Sequence, residues 1–136
     1  MVKFILGPKG SGKTKWLIDR ANEDMQDGNG NVIFVDVDDN HIFSLNYNIR
    51  LINAMEFNIK TVESFYGFLC GIIGRDYYVD SIYKAIPLET SDLQKLKGDL
   101  DLISKEFGTD FYINVEHSLE DMPEDLKADC IELDEN

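Results

Sequence analysis

One string in this sequence is equipped for a specific chemistry. Gly7-Pro8-Lys9-Gly10-Ser11-Gly12-Lys13-Thr14 has the spacing G-x-x-x-x-G-K-[ST], the pattern that wraps backbone N–H groups around phosphate oxygens. Gly7 and Gly12 permit backbone angles that a Cβ forbids, and Gly10 adds freedom between them. Lys13 supplies a point charge suited to β and γ phosphates, and the Thr14 hydroxyl suits a Mg²⁺ ligand. The following helix adds its positive N-terminal end. Gly7, Pro8, Lys9, Gly10, Ser11, Gly12, Lys13 and Thr14 are therefore the expected binding set for a nucleotide, ATP or GTP, with Mg²⁺.

Phosphate chemistry beyond binding needs a carboxylate on the metal and a group that orients the nucleophile. Asp36 ends the apolar run Val32-Ile33-Phe34-Val35 in the required apolar-then-acid pattern, and with Thr14 it makes the expected metal pair. Asp38 and Asp39 follow closely, although a polar strand exit accounts for all three acids as well. Asp80, after Tyr77-Tyr78-Val79, is the alternative carboxylate. Glu116, His117 and Ser118 leave a strand at the ligand-facing end, where either a γ-phosphate sensor or a surface turn would fit. His41 has no partner pattern, and Trp16 reads as a packing residue before a base-stacking one.

The elements that must position these groups alternate. Val2 to Leu6, Val32 to Val35, Arg50 to Asn53, Ser81 to Ile86 and Phe111 to Val115 read as strands. Helices are expected over Lys15 to Asp27, from a Thr61 cap to about Ile73, from Ser91 or Asp92 to Phe107, and briefly from Pro123 to before Cys130. The turn Asp27-Gly28-Asn29-Gly30 separates the first helix from the second strand. Alternation of this kind predicts an α/β fold, a mostly parallel sheet covered on both faces with ligands at the carboxyl ends of its strands.

Composition limits the partners. The chain of 136 residues carries 13 Lys plus Arg against 26 Asp plus Glu, a net charge of -13, and its length suits a single domain spanning 1–136. No basic patch is visible, so nucleic acid is not an expected partner. Residues 116–136 hold nine acids and one base, Lys127, interrupted by Leu119, Leu126, Cys130, Ile131 and Leu133. That mixture reads as a packed acidic end more than an interaction tail. Cys70 and Cys130 cannot build a disulfide scaffold, and Cys70, within Phe68-Leu69-Cys70-Gly71-Ile72, reads as a small buried hydrophobe. Without an export segment or an apolar run near membrane-spanning length, a cytoplasmic protein with reduced thiols is expected, with no membrane partner.

Val2 to Thr14, Val32 to Asp39 and Phe65-Tyr66-Gly67-Phe68-Leu69-Cys70-Gly71 together resemble a group of small ATP-binding P-loop proteins of Clostridium-like bacteria, some labelled twitching-motility-type. The resemblance implies a three-layer, RecA-like P-loop NTPase fold and nucleotide binding, without a specified reaction. In that group an aspartate is expected to end the strand corresponding to Ser81 to Ile86, where this chain has Lys84-Ala85-Ile86-Pro87, a departure that argues against strong hydrolysis. Three functions follow as expectations: a nucleotide binder with weak hydrolysis or a switch role, a small nucleoside or nucleotide kinase, and a degenerate P-loop scaffold. A protein partner or a homo-oligomer is compatible with each.

Overall fold

The computed structural model describes residues 1–134 apart from Asn29 and Ile73. Asn29 of the expected turn, Ile73 at the expected helix end, and Glu135 and Asn136 of the acidic segment lie outside the described residues. The elements run β1 (Val2–Leu6), α1 (Lys13–Gln26), β2 (Val32–Asp36), β3 (Arg50–Asn53), α2 (Val62–Gly71), β4 (Asp76–Val79), α3 (Thr90–Phe107), β5 (Asp110–Asn114), α4 (Glu124–Lys127) and β6 (Cys130–Glu132). All six strands are parallel, in the order β3-β2-β4-β5-β1-β6.

Strand alternation sends neighbouring side chains to opposite faces, and both faces are covered. Ile5, Phe34, Tyr78 and Tyr112 meet Leu17, Ile18 and Ala21 of α1. On the other face Phe4, Val35, Val79 and Phe111 meet Phe65 and Leu69 of α2 and Leu93, Leu96 and Leu100 of α3. Each fully buried Leu or Phe contributes about 1.5 to 3 kcal/mol through removal from water, so these stripes fix where the helices lie. Local signals set their ends. Thr61 Oγ1 accepts the Ser64 N–H while Ser64 Oγ accepts the Thr61 N–H, closing a capping box at α2. Gly108, at φ 67°, stops α3 in the left-handed conformation.

Two sequence expectations are corrected. Ser81 to Ile86 is not a strand: the strand is β4 just before it, and Ile82–Lys84 form one 3₁₀ turn. Ser81 at φ 55° breaks the extended path, and the four-residue spacing of Ile82 and Ile86 buries both on one side of a turn. Cys70 is exposed. The buried stripe of α2 is Val62, Phe65 and Leu69, and the next residue rotates away from it.

The acidic end contributes an edge strand. Phe4, Ile5 and Leu6 of β1 pair with Cys130, Ile131 and Glu132, Leu126 is buried, and Lys3 reaches Asp129 at 3.6 Å. No helix among the described residues is long and apolar enough to cross a membrane.

Candidate functional site

The turn between β1 and α1 owes its shape to glycine. Gly7 has φ 152°, and a Cβ there would stand 2.4 Å from Ser11 Oγ and 2.9 Å from the Leu133 carbonyl oxygen. The Ser11 N–H donates to the Pro8 carbonyl at 3.0 Å, folding the tip back. Gly10 at φ 87° and Gly12 at φ 89° adopt conformations that a side chain resists, and a Cβ on either would point into open space. The result is a cradle of backbone opening at the first turn of α1, where N–H groups lack intrahelical partners. Ser11 Oγ is buried within it without a hydrogen-bond partner.

Lys13 and Thr14 open α1 and face the carboxyl ends of β4 and β5. Lys13 is 8% exposed, and its Nζ donates to the Val115 carbonyl at 3.2 Å. Burial lowers its pKa, opposed by the nearby charges of Glu116 and Asp80. The Thr14 hydroxyl lies 3.1 Å from both carboxylate oxygens of Asp80. Asp80 follows β4 directly, its N–H bonded to the Val35 carbonyl at 2.8 Å, and it is 1% exposed. Asn114, the last residue of β5, donates its side-chain amide to Asp80 and accepts the Ser81 N–H at 2.8 Å. A cleft of about 460 Å³ opens over this cluster, lined among others by Lys9, Gly10, Lys13, Tyr83, Lys84 and Glu116.

Asp36 ends β2 beside this group. Its Oδ1 accepts the Val37 N–H at 2.7 Å, its Oδ2 is buried without a hydrogen-bond partner, and the residue is 2% exposed. Burial, more than the neighbouring charges of Asp80 and Asp38, pushes the carboxyl up to about 7, while the Val37 N–H and the charge of His41 act the other way. One ligand atom each from Asp36, His41 and Asp80 lies within 4.8 Å of the others. The structure thus brings both sequence candidates, Asp36 and Asp80, to one place, with Asp80 the one that touches Thr14.

The remaining candidates divide. Asp38 Oδ1 accepts the Asn40 N–H at 2.9 Å, the geometry of a turn at a strand exit, and Asp39 is exposed. Glu116 lines the cleft, whereas His117 Nε2 meets the Leu88 carbonyl oxygen at 2.6 Å and, with Ser118, borders the outer side of the glycine loop. Trp16 packs on Tyr112 with ring centroids 5.9 Å apart, so it belongs to the sheet face and not to the cleft. Asn114 and His41 are the residues that sequence reasoning left aside. Asn114 does carry a signal: it is a polar residue closing an apolar strand, as Asp36 is.

No protein-family model matches this chain, and no curated protein matches it either.

Proposed function

We propose that the protein binds a nucleoside triphosphate, ATP or GTP with Mg²⁺, through the loop Gly7–Thr14, and that it hydrolyses it weakly or uses it as a switch. The observation that carries this reading is the contact between the Thr14 hydroxyl and the Asp80 carboxylate at the mouth of a glycine cradle. A hydroxyl opening the helix and an acid ending a nearby strand are the two protein ligands that P-loop proteins give to Mg²⁺. Gly10 and Gly12 leave room for phosphate oxygens, and Lys13 supplies the positive charge. Mg²⁺ bound between Thr14, Asp80 and the phosphates would neutralise charge there. Read this way, Asp80, just after β4, supplies the acid expected one element later in the sequence.

Weak turnover follows from where the arginines stand. A guanidinium on the transferring phosphoryl group accounts for about 10³ to 10⁵ of the rate in GTPases that use one. Here Arg20 and Arg75 line a pocket with Asp76, the first residue of β4, and Arg50 opens β3. Arg75 and Arg50 therefore stand at the amino ends of strands and Arg20 lies in α1 beside Tyr112, while the cleft lies at the carboxyl ends.

Titration with a fluorescent ATP analogue and Mg²⁺ tests the reading. Saturable binding is expected, weakened roughly ten- to a hundredfold by Lys13→Ala through loss of a charge-assisted contact. Equal binding by the variant overturns it.

A further inference from the structure

Asp36 and Asp80 are both nearly fully buried, and they sit side by side at the ends of two paired strands. Asp80 is neutralised in part by hydrogen bonds from Thr14, Ser81 and Asn114. Asp36 has less: Oδ1 accepts the Val37 N–H, but its other oxygen has no hydrogen-bond donor in a place that water reaches poorly. Isolated buried carboxylates are costly, and the usual remedies are a proton, a paired cation or a metal. The third member of the cluster, His41, belongs to the loop leaving β2 and brings an imidazole to the same spot.

We infer that Asp36, His41 and Asp80 form a site for a divalent first-row transition ion, Mn²⁺ or Zn²⁺, adjacent to the position assigned to Mg²⁺. The donor set chooses the ion. Mg²⁺ prefers oxygen ligands and water, whereas an imidazole nitrogen with two carboxylates suits ions such as Mn²⁺ and Zn²⁺. Metal–ligand distances of about 2.1 Å hold neighbouring ligands about 3 to 4 Å apart, so atoms already within 4.8 Å need only a small closure. The ion would tie the loop leaving β2 to the end of β4 and neutralise both acids. Its position beside a phosphate rests on the nucleotide reading, because Asp80 serves both; its binding to protein alone does not.

The test uses metal-stripped full-length protein without nucleotide. With only two histidines in the chain, His41 and His117, imidazole ¹H–¹⁵N spectra resolve one inside the cluster and one outside it. Substoichiometric Mn²⁺ is expected to broaden His41 selectively. Free-Mn²⁺ EPR titration should show one site that His41→Ala and Asp36→Asn each weaken about tenfold or more. Equal broadening of both histidines, or unchanged Mn²⁺ affinity in His41→Ala, overturns the site. The ATP-analogue titration, repeated with Mg²⁺ on the same variant, separates the two readings. Nucleotide binding with no Mn²⁺ site sinks only the ion; an Mn²⁺ site without nucleotide binding sinks only the nucleotide.

Discussion

Asn114 binds Ser81 and Asp80 at once, its side-chain oxygen taking the Ser81 N–H at 2.8 Å and its amide donating to the Asp80 carboxylate. One side chain at the end of β5 thereby holds both a left-handed serine and the acid that faces Thr14. Asn114→Ala leaves a buried N–H unpaired and removes a donor from a buried carboxylate, at a cost of about 1 to 3 kcal/mol. Asn114→Asp keeps the acceptor but sets a second carboxylate against Asp80 and should cost more. Urea unfolding gives the order; equal midpoints for both variants and the wild type would remove the positioning role of Asn114.

Gly7 and Gly10 should respond differently to alanine. At Gly7 the added methyl meets Ser11 and the Leu133 carbonyl, so a steric cost joins a backbone one, together about 2 to 4 kcal/mol. At Gly10 only the backbone conformation is strained, about 1 to 2 kcal/mol. Thermal melts that rank Gly10→Ala as the more damaging would contradict the loop geometry.

At the opposite end of the sheet, stability should depend on pH through Asp76. Its carboxyl is 6% exposed and is pushed up to about 7, by burial first, then by its hydrogen bond with Asp24 and the charges of Asp24 and Asp110. Tyr78 donates to Asp24 at 2.8 Å, and Arg20, Glu23, Asp27, Arg75 and Tyr112 line the same pocket. The folded chain keeps the Asp76 proton to about pH 7, while the unfolded chain releases it near 3.8. Stability contributed by this group is therefore complete below the unfolded value and is lost as pH rises toward about 7. Urea midpoints at about pH 5 and about pH 8 should show the fall in wild type and a smaller one in Asp76→Asn. Identical slopes would assign the pH dependence elsewhere.

Leu126 distinguishes a packed end from a loose acidic tail. It is 2% exposed in α4, just before β6. Leu126→Ala should cost about 2 to 5 kcal/mol, as buried leucines do. A change near zero in the melting temperature would mean that the segment after Val115 does not pack in solution.

The sequence was most legible where one residue type has one job. Glycines at fixed spacing, a strand before them and a periodic helix after them located the loop, and Thr61 marked a helix start because capping is local. Legibility failed where the answer depended on distant neighbours. Tyr77-Tyr78-Val79 reads as a weaker run than the stretch Ser81 to Ile86, but Tyr77 and Tyr78 gain strand character from stacking on Phe111 and Tyr112, with ring centroids 4.7 and 5.0 Å apart. Once that strand is misplaced, Asp80 reads as preceding a strand when it follows one. Asn114 and His41 could not be given a role for a related reason, since their meaning comes from what other strands bring to them.

β5 lies between β4 and β1, so the acid and the glycine loop are carried by strands that do not touch. Thr14 meets Asp80 across 66 positions of chain, and Lys13 meets Val115 across 102. Contacts of such long sequence separation are costly to close early and form slowly. A growing chain that has just completed Val79 possesses the whole loop and none of the groups that face it. The glycine loop is thus encoded locally, whereas the candidate site becomes complete only when the middle of the sheet has closed, and a ligand bound there would stabilise the sheet from β1 to β4 as a unit.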